Sequence, residues 1–141
     1  MSYAYASDDK ASDLGRFVLR VGLGLMILLH GVAKIIAGPG FIVGLLAKAG
    51  LPSMLAWGVY VGEVVAPLLL IVGLLTRPAA AVVAINMLFA IWLVHMPELF
   101  ARNKTGGWAL ELQGMFLVAA LAVMLLGAGR YSVAGSSGRF N

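Results

Sequence analysis

The chain has 141 residues, 62% of them hydrophobic and only 11% charged, and it contains no cysteine. Soluble domains carry about 25% charged residues, so this composition leaves too little polar side chain to cover a water-exposed fold. Absence of cysteine excludes disulfides, thiol redox centres, iron–sulfur ligation and a cysteine nucleophile within the chain. The net charge of +4 forms no basic stripe and sits mainly at the ends of apolar segments, a pattern that speaks for membrane orientation and against nucleic acid.

Residues 1–13 read as a polar N-terminal tail without the small-residue cleavage site of a signal peptide. Residues 14–133 are predicted to form one all-α domain, an antiparallel integral membrane four-helix bundle. Its spans fall at about 17–37, 54–75, 78–97 and 108–127, each near the ~20 residues that cross a bilayer. The first span is expected to start near Leu14, capped by Ser12 or Asp13, and to stop at Gly38-Pro39-Gly40. Phe41 to Ala49 is too short to span and reads as an amphipathic or re-entrant segment between helices one and two, closed by Gly50 and Pro52. Span two ends at Gly73-Leu74-Leu75, and Thr76-Arg77-Pro78 reads as a tight turn into span three. A polar loop after His95-Met96-Pro97 leads to Trp108 at the mouth of span four, and residues 134–141 read as a flexible C-terminal tail.

Four spans put both termini on one face. That face collects Lys10, Arg16, Arg20, Arg77, Arg130 and Arg139, against Lys34, Lys48, Arg102 and Lys104 on the other. The positive-inside rule then predicts cytoplasmic termini, with Trp57, Tyr60, Trp92, Phe100 and Trp108 as an interfacial belt mostly near the opposite ends.

Ionisable groups at membrane depth cost at least ~2.5 kcal/mol on insertion scales and normally face protein or water. At about 100° per residue, Arg16, Arg20, His30 and Lys34 share one face of span one. Counting rise along each helix puts His30 and Glu63 at similar depth and His95 and Glu111 in the same outer half, and His30, Lys34, Glu63, His95 and Glu111 are predicted to form one buried polar cluster open towards the outer side. Pro67 cannot donate to the Glu63 carbonyl, which predicts a kink and a free carbonyl beside Glu63.

Simpler readings stand beside each residue. Lys34 can snorkel, Arg16, Arg20 and Arg77 can be cytoplasmic anchors, and a Lys34–Glu63 or His30–Glu63 pair can merely hold the bundle together. Asn86 can bond a neighbouring helix, and Gly22, Gly24, Gly31, Gly58 and Gly62 can permit close packing. No metal is predicted, because the Glu-x-x-His spacing of bundle di-iron sites is missing.

Arg20-Val21-Gly22-Leu23-Gly24, Leu29-His30-Gly31-Val32-Ala33-Lys34, Glu63, Gly73-Leu74-Leu75-Thr76-Arg77, His95, Glu111 and Gly127-Ala128-Gly129-Arg130-Tyr131-Ser132 occur in this order. In these pieces the chain resembles the DoxX family of small four-span bacterial membrane proteins, over roughly Gly15 to Val133. The resemblance implies a bacterial inner-membrane location. It also implies a role as a quinone-associated subunit or accessory of a membrane oxidoreductase that depends on a redox partner protein. On that reading His30 or Lys34 hydrogen-bonds a quinone carbonyl, Glu63, Glu111 or His30 handles protons, and His95, Trp57 and Tyr60 help to form the ligand site. The residues themselves leave a second reading open, a non-enzymatic membrane module for small-molecule or lipid binding, transport or assembly of a partner complex.

Overall fold

No helix breaker precedes the first apolar run, and in the computed structural model α1 accordingly extends without interruption over Ser2–Ala37. Residues 2–135 and 140–141 are described. The start expected near Leu14 is thus displaced towards the N-terminus. Asp13 caps nothing there and instead accepts a hydrogen bond from the Arg130 backbone N–H at 3.2 Å. Gly38, at φ 79°, stops α1, and Pro39 opens the short helix α2, Gly40–Lys48.

Two longer helices come next, α3 (Leu55–Val72) and α4 (Thr76–Glu98). Each carries a widened turn just ahead of a proline. In α3 the π turn is Val61–Val65, where the Ala66 N–H reaches back five residues to the Val61 carbonyl, and Pro67 lies immediately beyond. In α4 it is Ile91–His95, succeeded by the 3-10 turn Met96–Glu98 that contains Pro97. Proline withdraws one helical donor, and a wider turn lets the chain absorb the defect without breaking.

Gly73 (φ 76°) and Leu75 (φ 49°) take left-handed conformations and reverse the chain within three residues, which makes α3 and α4 antiparallel. The expected turn at Thr76-Arg77-Pro78 is corrected by this geometry: all three residues already belong to α4, whose first turn has no use for the N–H that proline lacks. The last helix, α5 (Glu111–Leu126), also starts later than expected. Trp108 pairs with Arg102 in an isolated β-bridge, and the Asn103 Oδ1 atom accepts from Thr105 N, Thr105 Oγ1 and Gly107 N at 3.0, 2.7 and 2.9 Å. Those bonds hold residues 103–108 in a loop.

The architecture is therefore an all-helical bundle, with no strand among the described residues. Three helices, α1 from Asp9, α3 and α4, are long and apolar enough to cross a membrane. The 16 residues of α5 rise only about 24 Å at ~1.5 Å each. Large apolar side chains such as Leu29, Ile36, Trp57 and Leu125 point out of the bundle, an arrangement that suits lipid and would aggregate in water.

Inside, Leu23 and Ile27 of α1, Ala66 and Leu70 of α3, Val83 and Met87 of α4, and Phe116 and Ala120 of α5 share one core. Ile42 and Leu46 attach α2 to Ala56 and Val59 of α3 in a second cluster. Glycine sets the distance between α1 and α3. A Cβ on Gly24 would meet Ile71 and the Pro67 carbonyl, and one on Gly31 would strike the backbone of Glu63. The partner number falls as the α1 number rises, so these helices are antiparallel too. Gly62 makes similar room for Asn86, whereas Gly22 and Gly58 face nothing within 4 Å and do not serve packing within the bundle.

At one end of the bundle Arg20 is fully buried. Its guanidinium donates to the carbonyls of Leu70, Ile71 (2.8 Å) and Tyr131 (2.7 Å) and lies over the Phe17 ring. The last carbonyls of a helix lack partners along the chain and carry partial negative charge, so Arg20 acts as a cap on α3 rather than as a surface anchor. It also ties down the segment after α5, whose Val133 and Ala134 N–H groups bond Val72 and Gly73.

Replacing Gly31 with alanine is expected to force α1 and α3 apart and cost at least about 2 kcal/mol, in the range of overpacked cores. Gly22→Ala, facing open space, should be neutral within about 0.5 kcal/mol. Unfolding of both variants in detergent or lipid nanodiscs checks the difference.

Candidate functional site

His30 and Lys34 stand one turn apart on α1, and the close Gly31 contact presses that turn against the π turn of α3 that carries Glu63. The site grows from this junction. A cavity of about 340 Å³ lies beside it, lined by Ile27, His30, Lys34, Glu63, Met87, Ala90, His95, Gln113 and Phe116, among others. All four long helices contribute. Phe41 of α2 also lines it, and a smaller pocket of about 60 Å³ shares Lys34, Phe41 and Glu63 and extends to Asn86.

The Lys34 Nζ atom lies 2.5 Å from Glu63 Oε1, and Asn86 Nδ2 donates to the same oxygen at 3.2 Å. The carboxylate side is 4% exposed and the ammonium side 35%. This pair straddles a boundary, with the anion enclosed and the cation reaching outward. Glu63 Oε2 is buried and has no hydrogen-bond partner. A buried carboxylate oxygen normally has one, so Glu63 retains unused capacity to accept a hydrogen bond.

At the far end of the cavity His95 uses both ring nitrogens. Nδ1 lies 3.3 Å from Glu98 Oε2 and Nε2 lies 3.0 Å from the Gln113 amide nitrogen. On α1, the exposed His30 ring meets Phe116 edge-on, with centroids 5.8 Å apart. His30 and the half-exposed Leu112 form the cavity lining contributed at this point by α1 and α5.

Four of the five residues expected in the cluster, His30, Lys34, Glu63 and His95, thus line one cavity. Glu111 does not. It is exposed in the first turn of α5 and accepts from Asn103 Nδ2 at 3.3 Å. Helical rise alone groups it with the others. Rotation decides otherwise, because Gln113 and Phe116, three residues apart, share the face towards the cavity and Glu111 lies off it. Trp57 and Tyr60 are elsewhere as well. They line a separate apolar groove of about 740 Å³ with Ile35, Met54, Val61 and Val64. Tyr60 reaches the site only through its hydroxyl, which donates to the Lys34 backbone carbonyl at 3.3 Å. Two residues join that were not singled out for the site, Asn86 and Gln113. Each is a polar side chain in an apolar helix, and that was the available signal.

The DoxX family model matches residues 15–96, the stretch that holds His30, Lys34, Glu63, Asn86 and His95. This chain belongs to the DoxX family. Together with the long apolar helices, that membership marks it as a membrane protein whose surroundings are a lipid bilayer. An uncharacterized protein of Haemophilus influenzae is 34% identical over 114 residues, covering 79% of this chain and 81% of the relative. A Bacillus subtilis protein named "Putative oxidoreductase CatD" is 28% identical over 109 residues, covering 77% of this DoxX chain and 81% of the relative. No solved structure matches.

Leaving Glu63 without its cation should be costly. Fully buried pairs lose about 3–5 kcal/mol when one partner goes. A third of Lys34 is exposed, so solvent screening reduces the expected cost of Lys34→Met to about 1–3 kcal/mol. The double variant Lys34→Met/Glu63→Gln should recover most of that loss, which thermal unfolding of the two single variants and the double variant measures.

Proposed function

We propose that this DoxX protein is a four-span bacterial inner-membrane protein with cytoplasmic termini that binds a quinone head group. It would serve a membrane oxidoreductase as a subunit or accessory. The observation that carries the reading is the mixed character of the cavity: Lys34, Glu63, His30, His95 and Gln113 meet apolar walls of Ile27, Met87 and Phe116 in one space. A ligand that fits must be polar at its rim and apolar on its faces.

At about 340 Å³ the cavity is at the small end of the ~300–1,000 Å³ range of ligand pockets. That suits a head group with its tail left outside, and the tail would leave past the exposed His30 and Leu112 in the lining. The donor set fits as well. Lys34, His30 and the Gln113 amide can donate to carbonyl oxygens, and the unpaired Glu63 Oε2 can accept from a hydroxyl. A bound quinone would supply reversible transfer of two electrons and two protons. Lys34 and Asn86 hold the Glu63 carboxylate in place, Phe116 and Met87 exclude water from the ring faces, and Glu63 exchanges the proton at Oε2. Electrons come from a partner protein, and the name of the Bacillus subtilis relative favours the same class of activity.

The Lys34–Glu63–Asn86 network favours a second reading, in which the polar residues only brace the bundle of a non-enzymatic binding or assembly module. Mild purification from the native membrane, then extraction and mass spectrometry, separates the two. Wild type is expected to carry quinone near one per chain. Glu63→Gln should lose at least tenfold of it, about 1.4 kcal/mol of binding, while keeping its fold. A quinone-free wild type overturns the quinone reading and leaves the second.

A further inference from the structure

The polar lining of the cavity reaches exposed surface at Lys34, 35% exposed beside Glu63, and at His95 on the other side. Glu98, which faces that ring, is largely exposed, and the His95 side chain is 26% exposed. From this geometry we infer that His95 is the proton passage between the Glu63 cavity and outside water, with Glu98 as its outer terminus and Gln113 as the residue that sets its resting tautomer. The inference deepens the quinone reading by assigning the route for its protons, and it rests on that reading only for its purpose.

The His95 contacts fit one resting tautomer: with the Gln113 amide nitrogen facing Nε2 at 3.0 Å, that nitrogen donates and we assign Nε2 no hydrogen. The ring proton is then on Nδ1, donated to Glu98 Oε2. This places a basic nitrogen towards the cavity and an acidic N–H towards water, which is the arrangement of a shuttle. When the Glu63 carboxyl is protonated, its proton passes through water in the cavity to Nε2, while the Nδ1–H bond breaks and its proton goes to the Glu98 carboxylate. One proton leaves Glu63, one arrives at Glu98, and the ring is neutral before and after. Rotation of the Gln113 amide offers its oxygen to the new Nε2–H, and the first tautomer returns when Glu98 gives a proton back to Nδ1 as Nε2–H releases one to water in the cavity, so the passage runs in both directions. A cavity of about 340 Å³ with Lys34, Glu63, His95 and Gln113 in its lining has room and polar partners for the water involved.

Alternative carriers are few around this ring. Lys34 and His30 of α1 and Glu63 of α3 line the same cavity, Glu98 comes three residues later on α4, and Gln113 is the polar neighbour from α5. His30 is exposed on α1, and its ring packs edge-on against Phe116. The 3-10 turn Met96–Glu98 that follows His95 brings His95 and Glu98, three residues apart, together at 3.3 Å.

The test uses the whole chain in lipid nanodiscs without added quinone. A rapid pH jump is monitored by time-resolved infrared absorption of the Glu63 carboxyl, identified by its absence in Glu63→Gln. His95→Gly is expected to slow protonation of Glu63 at least tenfold, and added imidazole should restore it. Glu98→Gln should slow it as well, and in Gln113→Leu the nitrogen-15 spectrum of His95 should show loss of the single Nδ1–H tautomer. Circular dichroism and melting confirm which variants fold, and Gln113→Leu with Glu98→Gln keeps the test open if His95→Gly does not. An unchanged Glu63 rate in folded His95→Gly, failure of imidazole to restore it, or a Glu63 carboxyl that never changes protonation overturns the inference. Mass spectrometry of the same preparations keeps the two readings apart: quinone present with an unchanged rate defeats the passage alone, and quinone absent with a tenfold slowing defeats the quinone reading alone.

Discussion

The contact between Gly31 and the backbone of Glu63 governs this bundle. No side chain can stand between them, so α1 and α3 approach to backbone contact, and that approach is what puts Lys34 within 2.5 Å of Glu63. Everything at the site depends on the resulting junction. An ammonium and a carboxylate several ångströms further apart would leave a buried anion with only Asn86 to hold it. Glycine at position 31 is therefore an electrostatic requirement as much as a packing one.

Proline supplies the second constraint. Pro67 and Pro97 each come just after a π turn, and each π turn carries one of the cavity's titratable residues, Glu63 and His95. A regular α-helix repeats every 3.6 residues, so an added residue in one turn rotates the C-terminal part of the helix by about 100° relative to the N-terminal part. The helices use that rotation to keep apolar faces on the core on both sides of the defect while pointing a polar group inward at it. The two ends of the bundle then differ in kind. At one end Arg20 satisfies the terminal carbonyls of α3 and secures the segment after α5. Away from that end, Phe41 of α2 joins residues of α1, α3, α4 and α5 around the cavity.

Much of the fold was legible in the residues. Gly38-Pro39 ends α1, Gly50 and Pro52 lie just past the end of α2, and Gly73 reverses the chain, each for a conformational reason that needs no tertiary partner. The cavity residues were legible in part. Lys34 and Glu63 stand out because charge in an apolar helix is expensive. Glu111 shows the limit of that argument, since a residue near a helix end can turn to a loop and find Asn103. Trp57 and Tyr60 show it again: aromatic residues near a site in depth can sit on another face, and only the rotation of α3 reveals the separate groove.

By itself the sequence determined the class of the protein, an all-helical membrane chain with a polar stripe on its first helix and an isolated glutamate in the next long one. Composition and periodicity are enough for that, because the hydrocarbon of a bilayer tolerates little else. Tertiary structure alone decided which polar groups meet. Arg20 and Lys34 lie on one helix face, yet one caps backbone carbonyls and the other pairs with a carboxylate. Their roles differ because hydrogen bonds and ion pairs act over about 3 Å, whereas helix pattern in sequence gives direction and depth but not which neighbour stands opposite.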